Sequence, residues 1–269
     1  MEKIIGFIGS GNMGSAMIGG MLKNGVAAKE NVYVGDLSEA SLKKVNEEFG
    51  VNVTTDNTVV ASKADILILS VKPHIYPIVI KGIKDVIKDD VVVVAIAAGQ
   101  AIGTVKDLFG RDDLKVVRVM PNTPALVGAG MAALAPSKDV AKEETEEILQ
   151  IFNSFGEAEI VTEGLMDAVT AVSGSSPAYV YMIIEAMADA AVVEGMPRVQ
   201  AYKFAAQAVL GSAKMVLETG KHPGELKDMV CSPGGTTIAA VAKLEETGLR
   251  SSIMAGMKAC ADKSREMSK

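Results

Sequence analysis

Short, nearly continuous apolar runs recur through the first part of the chain, each followed by apolar positions at helical spacing. Ile4–Ile8 precedes a helical pattern through Leu22, and Asn31–Val34 precedes one from Ser38 to Phe49. Ala64–Ser70, Val91–Ala95 and Val116–Val119 read as further buried strands. The last runs into Met120-Pro121-Asn122-Thr123-Pro124, where two prolines exclude regular structure. Strands apolar on both faces, alternating with helices, predict a parallel sheet covered on both sides. The expected fold is therefore α/β, with a Rossmann-type doubly wound sheet over residues 1–162.

From Glu163 onward the strand signals vanish. Val180–Val193, Val199–Leu217, Ile238–Leu244 and Ser251–Met267 carry helical spacing rich in Ala, Met and Gly, which predicts an all-α second domain over 163–269. Pro197 stands where a helix can start and Gly220 where one can stop. Apolar residues run almost all round these helices, more than one small domain can bury, so a partner subunit is expected to cover the rest.

Composition removes whole classes of function. The chain has 269 residues, 49% hydrophobic and 22% charged, and reads as globular. Its net charge of −6 argues against a nucleic-acid or anionic-membrane partner. The longest apolar run, Val91–Ala98, is too short to span a bilayer, and Met1-Glu2-Lys3 leads straight into a strand without a signal-peptide core. Two cysteines, Cys231 and Cys260, make neither a disulfide framework nor a metal spacing. A cytoplasmic, metal-free protein is expected.

Two loops carry candidate chemistry. Gly9-Ser10-Gly11-Asn12-Met13-Gly14 follows a strand and opens a helix, the context that the dinucleotide fingerprint requires. Gly9 permits the tight turn, Gly11 the approach of a pyrophosphate, and Gly14 close packing of helix on strand. Asp36, closing the second strand, either accepts from the adenosine ribose hydroxyls or N-caps the next helix, a task for which Ser38 is better placed. Ser70-Val71-Lys72-Pro73 and Ala97-Ala98-Gly99 lie at the carboxyl edge of the sheet, where such folds bind ligands. Lys72 there is either a cofactor contact or a solvated lysine, and the small residues leave room for a nicotinamide ring. Asn122 either lines the same rim or belongs to a rigid crossover. Asn57 completes the cofactor set.

The second loop is Ser232-Pro233-Gly234-Gly235-Thr236-Thr237, entering an alanine-rich helical pattern. A glycine turn before a helix start presents free N–H groups and a positive dipole end, a cradle for a carboxylate-sized anion. No Ser-His-Asp order, HExxH or Tyr-x-x-x-Lys accompanies it, and His74 and His222 each adjoin a proline in a loop. Cys231 reads as a buried small residue. A protonated imine, which carries its own electrophilic activation, suits such a site. An uncharged ketone, which needs a proton donor, does not.

The stretches GFIGSGNMG, SVKPH, AIAAG, MPNTPALV, VSGSSPAYV and LKDMVCSPGGTTIAAV span essentially the whole chain. Together they resemble the pyrroline-5-carboxylate reductases, which make proline by reducing 1-pyrroline-5-carboxylate with NADPH or NADH. The resemblance implies a cofactor-binding N-terminal domain, an intertwined dimer built on the helical domain, and assembly of dimers into larger rings such as decamers. It also implies that the substrate carboxylate is held by Ser232 and the Gly234–Thr237 backbone, that Thr237 reaches the ring nitrogen, and that Ser175 borders the pocket. Ser175 or Ser176 is expected to cap the long helix, with Pro177 in its first turn. The β-hydroxyacid dehydrogenases begin similarly, but they need a lysine soon after the junction loop, and none occurs between Ser173 and Ala188. A dinucleotide-sensing regulator without turnover has no use for the SPGGTT stretch. Asp36 and the lack of arginine beside it predict that NADH serves at least as well as NADPH.

Overall fold

The computed structural model describes residues 1–267. They form two compact units, one of Met1–Ser175 with the C-terminal stretch from Cys260, the other of Ser176–Ala259. The first unit alternates β1 (Ile5–Ile8), α1 (Asn12–Lys23), β2 (Val32–Gly35), α2 (Glu39–Phe49), β3 (Asn52–Thr54), α3 (Asn57–Lys63) and β4 (Ile66–Leu69). It continues with α4 (Tyr76–Ile83), β5 (Val92–Ala95), α5 (Ile102–Phe109), β6 (Lys115–Met120), β7 (Gly130–Pro136), α6 (Lys142–Asn153) and β8 (Gly156–Ile160). The strands lie side by side in the order β3-β2-β1-β4-β5-β6-β7-β8. Successive side chains of each central strand enter opposite cores: Phe7, Ile68, Val94 and Val117 one, Ile8, Leu67, Val93 and Val116 the other. That two-sided burial is why these strands are apolar without alternation.

The sheet departs from the all-parallel expectation at β7, which runs antiparallel to β6. The short stretch between Met120 and Gly130 holds only a 3₁₀ turn at Thr123–Val127, too little chain for a parallel crossover. The direction is restored by α6, so β8 pairs parallel with β7.

After β8 come α7 (Met166–Val169) and a π-helical turn, Thr170–Gly174, still packed in the first unit. The compact division thus falls at Ser175/Ser176, whereas the change of texture in the sequence falls at 162/163. The second unit comprises α8 (Ser176–Val193), α9 (Arg198–Thr219), α10 (Pro223–Val230), α11 (Thr236–Glu246) and most of α12 (Leu249–Met267). Pro177 occupies the first turn of α8, Pro197 precedes α9, and Gly220 ends it. Helices α8 and α9 pack on each other, yet their only buried residues are Ala188, Ala201 and Ala205. Tyr181, Met182, Phe204, Leu210, Leu217, Met229 and Val230 are all exposed. One stretch, residues 163–193, is long and apolar enough to cross a membrane by length and composition alone.

Candidate active site

In the first unit the glycine loop is shaped by close approaches. Gly9 has φ +106°, and its N–H donates to the Gly35 carbonyl at 2.8 Å. A Cβ on Gly14 would lie 2.8 Å from the Gly9 carbonyl oxygen, so only glycine lets α1 start this close to β1. Nothing stands within 4 Å of a Cβ built on Gly11, and that open face is where a phosphate group fits. Helix α1 has no acidic residue in its first turn, which leaves the amides of Asn12 and Met13 to an anion. Ser70 anchors the far side of the loop, donating from Oγ to the Gly9 carbonyl at 2.6 Å. Val71 packs beside Gly9, and Lys72 is solvent-exposed just before the Pro73–Ile75 3₁₀ turn.

At the end of β2, Asp36 faces the loop. Its Oδ2 accepts from the Ser10 backbone N–H at 2.8 Å and from Ser10 Oγ at 2.7 Å, and Oδ1 accepts from the Ser38 amide at 2.9 Å. Partial burial alone would push the carboxyl up. The hydrogen bonds from Ser10 and Ser38, helped by the adjacent Leu37 amide, which makes no full hydrogen bond, outweigh it and hold the pKa below the ordinary carboxylate value. Ser38, not Asp36, caps α2, accepting from the Ser41 amide at 3.2 Å. Asn57 opens α3, and its Oδ1 is buried without a hydrogen-bond partner at the place where a Gly35 Cβ would stand. A carboxylate with one acceptor position still open, beside an open glycine face, suits an adenosine ribose and pyrophosphate.

Two features of the rim were not legible in the sequence. Tyr76 is fully buried, donates to the Leu69 carbonyl at 2.8 Å and accepts from the Ala97 amide at 3.3 Å, which ties β4 to the Ala97–Gly99 rim. Burial pushes its phenol well above the usual value, so it remains a donor. Its one signal was a tyrosine in an apolar run, since a buried phenol needs a partner. Arg118, flanked by Val117 and Val119 on β6, is buried beside Glu163, with Nη1 and Oε1 3.4 Å apart. The same Glu163 oxygen accepts from the Ile102 amide at the start of α5.

Other expected site residues have partners within the first unit. The space beside Gly99, at φ +75°, is filled by Met267 of α12, so the small residue there accommodates a helix end. Asn122 accepts from the Met131 amide at 2.9 Å and donates to the Ser173 carbonyl at 3.1 Å, which braces the short β6–β7 connection. Ser175 ends the π turn, donating its amide to the Thr170 carbonyl, and its hydroxyl receives the Cys260 thiol at 3.2 Å.

In the second unit the Ser232–Thr237 loop is a tight turn running into α11. The Gly235 N–H donates to the Ser232 carbonyl at 3.0 Å across Pro233 and Gly234, and Gly234 has φ +68°. Proline followed by a positive-φ glycine is the pattern of a type II turn. Gly235 is the N-cap, and a Cβ there would lie 2.5 Å from Ser232 Oγ. The first amide of α11 to find a carbonyl partner is Ala239, bonded to Gly235 at 3.3 Å, which leaves those of Thr236, Thr237 and Ile238 open. No acidic residue sits in the first turn, and the loop is largely exposed. Cys231 is half-buried rather than buried, and His222 caps α10, accepting from the Gly224 amide at 3.0 Å. Among the described residues no group of His, Cys, Asp and Glu could hold a metal ion.

Comparison with known proteins places both loops in one family. A family model described as pyrroline-5-carboxylate reductase dimerisation matches residues 163–267, and one described as NADP oxidoreductase, coenzyme F420-dependent, matches residues 4–99. The pyrroline-5-carboxylate reductase of Escherichia coli (strain K12) is 52% identical over 269 residues, 100% of both chains. The solved pyrroline-5-carboxylate reductase from Coxiella burnetii matches with a TM-score of 0.94 at 34% identity, covering 100% of each chain. Plasmodium falciparum pyrroline carboxylate reductase, solved with NADP bound, matches with a TM-score of 0.90 at 32% identity, covering 99% of this chain and 98% of that one.

Proposed function

The chain belongs to the pyrroline-5-carboxylate reductase family, and from that premise we propose how its own residues divide the work of the reaction. The enzyme reduces the imine of 1-pyrroline-5-carboxylate to proline, the last step of proline biosynthesis. The nicotinamide cofactor, when bound, supplies the hydride. Gly9–Gly14 hold its pyrophosphate, Asp36 and Asn57 face its adenosine ribose, and the Ser70–Pro73 and Ala97–Gly99 edges flank the remainder. The open first-turn amides of α11 behind the Pro233-Gly234-Gly235 turn carry the substrate reading, because they offer directed donors and a positive dipole end to a carboxylate.

With the carboxylate seated on the open amides of Thr236 and Thr237 beside Gly234 and Ser232, the Gly235 N–H being held by the turn, the Thr237 hydroxyl hydrogen-bonds the ring nitrogen and orients the imine. No strong protein base is needed, since the cationic imine is already electrophilic. Recombinant enzyme should therefore oxidise NAD(P)H only when 1-pyrroline-5-carboxylate is added. Thr237→Ala should lower kcat by about ten- to a thousandfold, the range for loss of one transition-state donor, with cofactor affinity unchanged. An unchanged kcat with a raised substrate KM would make Thr237 a uniform binding contact instead.

NADH is used at least as well as NADPH in this reading, because a carboxylate at Asp36 opposes a 2′-phosphate. The apolar α8 surface within 163–193 is covered by a second subunit, not by lipid, and the dimers assemble further, as far as a decamer, in the cytoplasm. That stretch lies within the dimerisation match and carries Glu163, Asp167, Glu185 and Asp189.

A further inference from the structure

The carboxylate at the end of β2 is already engaged before any ligand arrives. A carboxylate offers roughly four acceptor positions. Asp36 uses three of them inside the chain, two on Oδ2 for Ser10 and one on Oδ1 for Ser38. Two of these donors are backbone amides, set by the course of the loop and of β2. The third, the hydroxyl of buried Ser10, is a side-chain choice that another small residue would not make.

We propose that Ser10 limits cofactor discrimination in this enzyme: by saturating Oδ2 of Asp36, it leaves one acceptor position, enough for one ribose hydroxyl and not for the adjacent pair. The inference rests on the reading above that Asp36 faces the adenosine ribose. A free 2′,3′-diol gains most when each hydroxyl donates to its own carboxylate oxygen. Here only Oδ1 can accept, so NADH gains one charge-assisted bond where two are geometrically available to a diol. The same two bonds from Ser10 spread the negative charge of Oδ2 into the loop and hold it there, which weakens its repulsion of a 2′-phosphate. Both effects narrow the gap between NADH and NADPH. The pair Ser10–Asp36 is thus a device for dual cofactor use, with Asp36 as the discriminator and Ser10 as its restraint.

The test is the ratio of kcat/KM for NADH to that for NADPH, measured with fluorescence titration of both dinucleotides. The ratio cancels any general loss of folded or active enzyme. Ser10→Ala opens a position on Oδ2 and should move the ratio toward NADH by about three- to thirtyfold, the span of one hydrogen bond to a charged group at a partly exposed site. Asp36→Ser should move it toward NADPH by about tenfold or more, as expected for removing a charge facing a phosphate. In the Asp36→Ser background, Ser10→Ala should have no further effect on the ratio. If Asp36→Ser shifts the ratio but Ser10→Ala leaves it unmoved or moves it toward NADPH, the restraint is overturned while the ribose reading stands. If Asp36→Ser leaves the ratio unmoved, the ribose reading itself fails, and the role of Ser10 with it.

Discussion

At the scale of single residues, the glycine loop works by what it lacks. Gly14 shows this most sharply, because two opposing effects meet there. Replacing a helical glycine by alanine favours the helix by about 1 kcal/mol. The added Cβ would meet the Gly9 carbonyl oxygen at 2.8 Å, and that neighbour is backbone with no rotamer to yield. Overpacking of this kind costs about 1–3 kcal/mol, so the clash wins. Gly14→Ala should lower Tm and raise the cofactor KM together, as α1 is pushed off β1. A raised Tm with an unchanged cofactor KM would show that the loop relaxes freely. The spacing of Gly9, Gly11 and Gly14 was legible in the sequence because each role is local. The partners of Asp36 and Asn122 were not, because each is set by a residue remote in the chain: Ser10 for one, Met131 and Ser173 for the other.

At the scale of elements, the start of α11 is where helix chemistry becomes binding chemistry. Thr236 is its first residue, and Gly235 before it lies at φ −80°, ψ 173°, an extended conformation that a following proline accepts. Proline is also at home in the first position of a helix, where its missing N–H breaks no internal bond. Thr236→Pro should therefore keep α11 intact while deleting one amide of the proposed carboxylate cradle. Substrate KM should rise about tenfold, the worth of one charge-assisted bond, with kcat and Tm little changed. Thr236→Ala, which keeps the amide, should leave KM near that of the parent enzyme. Equal KM values for the proline and alanine variants would remove this amide from the substrate site. The turn and the helix start were readable from Pro233-Gly234-Gly235 alone, since proline and glycine dictate backbone angles wherever they stand.

At the scale of the whole molecule, the second unit buries too little to account for its own composition. Ala206, Leu210 and Leu217 recur at helical spacing on one face of α9, and Leu210 and Leu217 are 59% and 82% exposed. Such a stripe matches the dimerisation match over residues 163–267. Ala206→Arg places a guanidinium within it and should give a monomer on a sizing column with less than about a tenth of the parent activity, since a charge without a partner is strongly disfavoured in a buried interface. Full activity from a proven monomer would separate the helical surface from catalysis. The helical texture from Glu163 onward announced this half of the chain. The compact division at Ser175/Ser176 and the return of α12 to the first unit did not show in the sequence, because packing rather than composition decides them.

The sequence by itself determined the features that depend on near neighbours and on periodicity. These are the apolar strands, the strand–loop–helix opening at Gly9–Gly14, the turn and helix start at Ser232–Thr237, and the surplus of apolar helix faces. Tertiary structure alone decided the antiparallel direction of β7, the burial of Arg118 beside Glu163, the Tyr76 link between Leu69 and Ala97, and the grip of Ser10 on Asp36. The physical reason is range. A backbone angle or an amphipathic stripe is encoded within a few residues, whereas a hydrogen bond between distant segments exists only once the sheet has brought them together, and its donors and acceptors carry no mark of their partner beforehand.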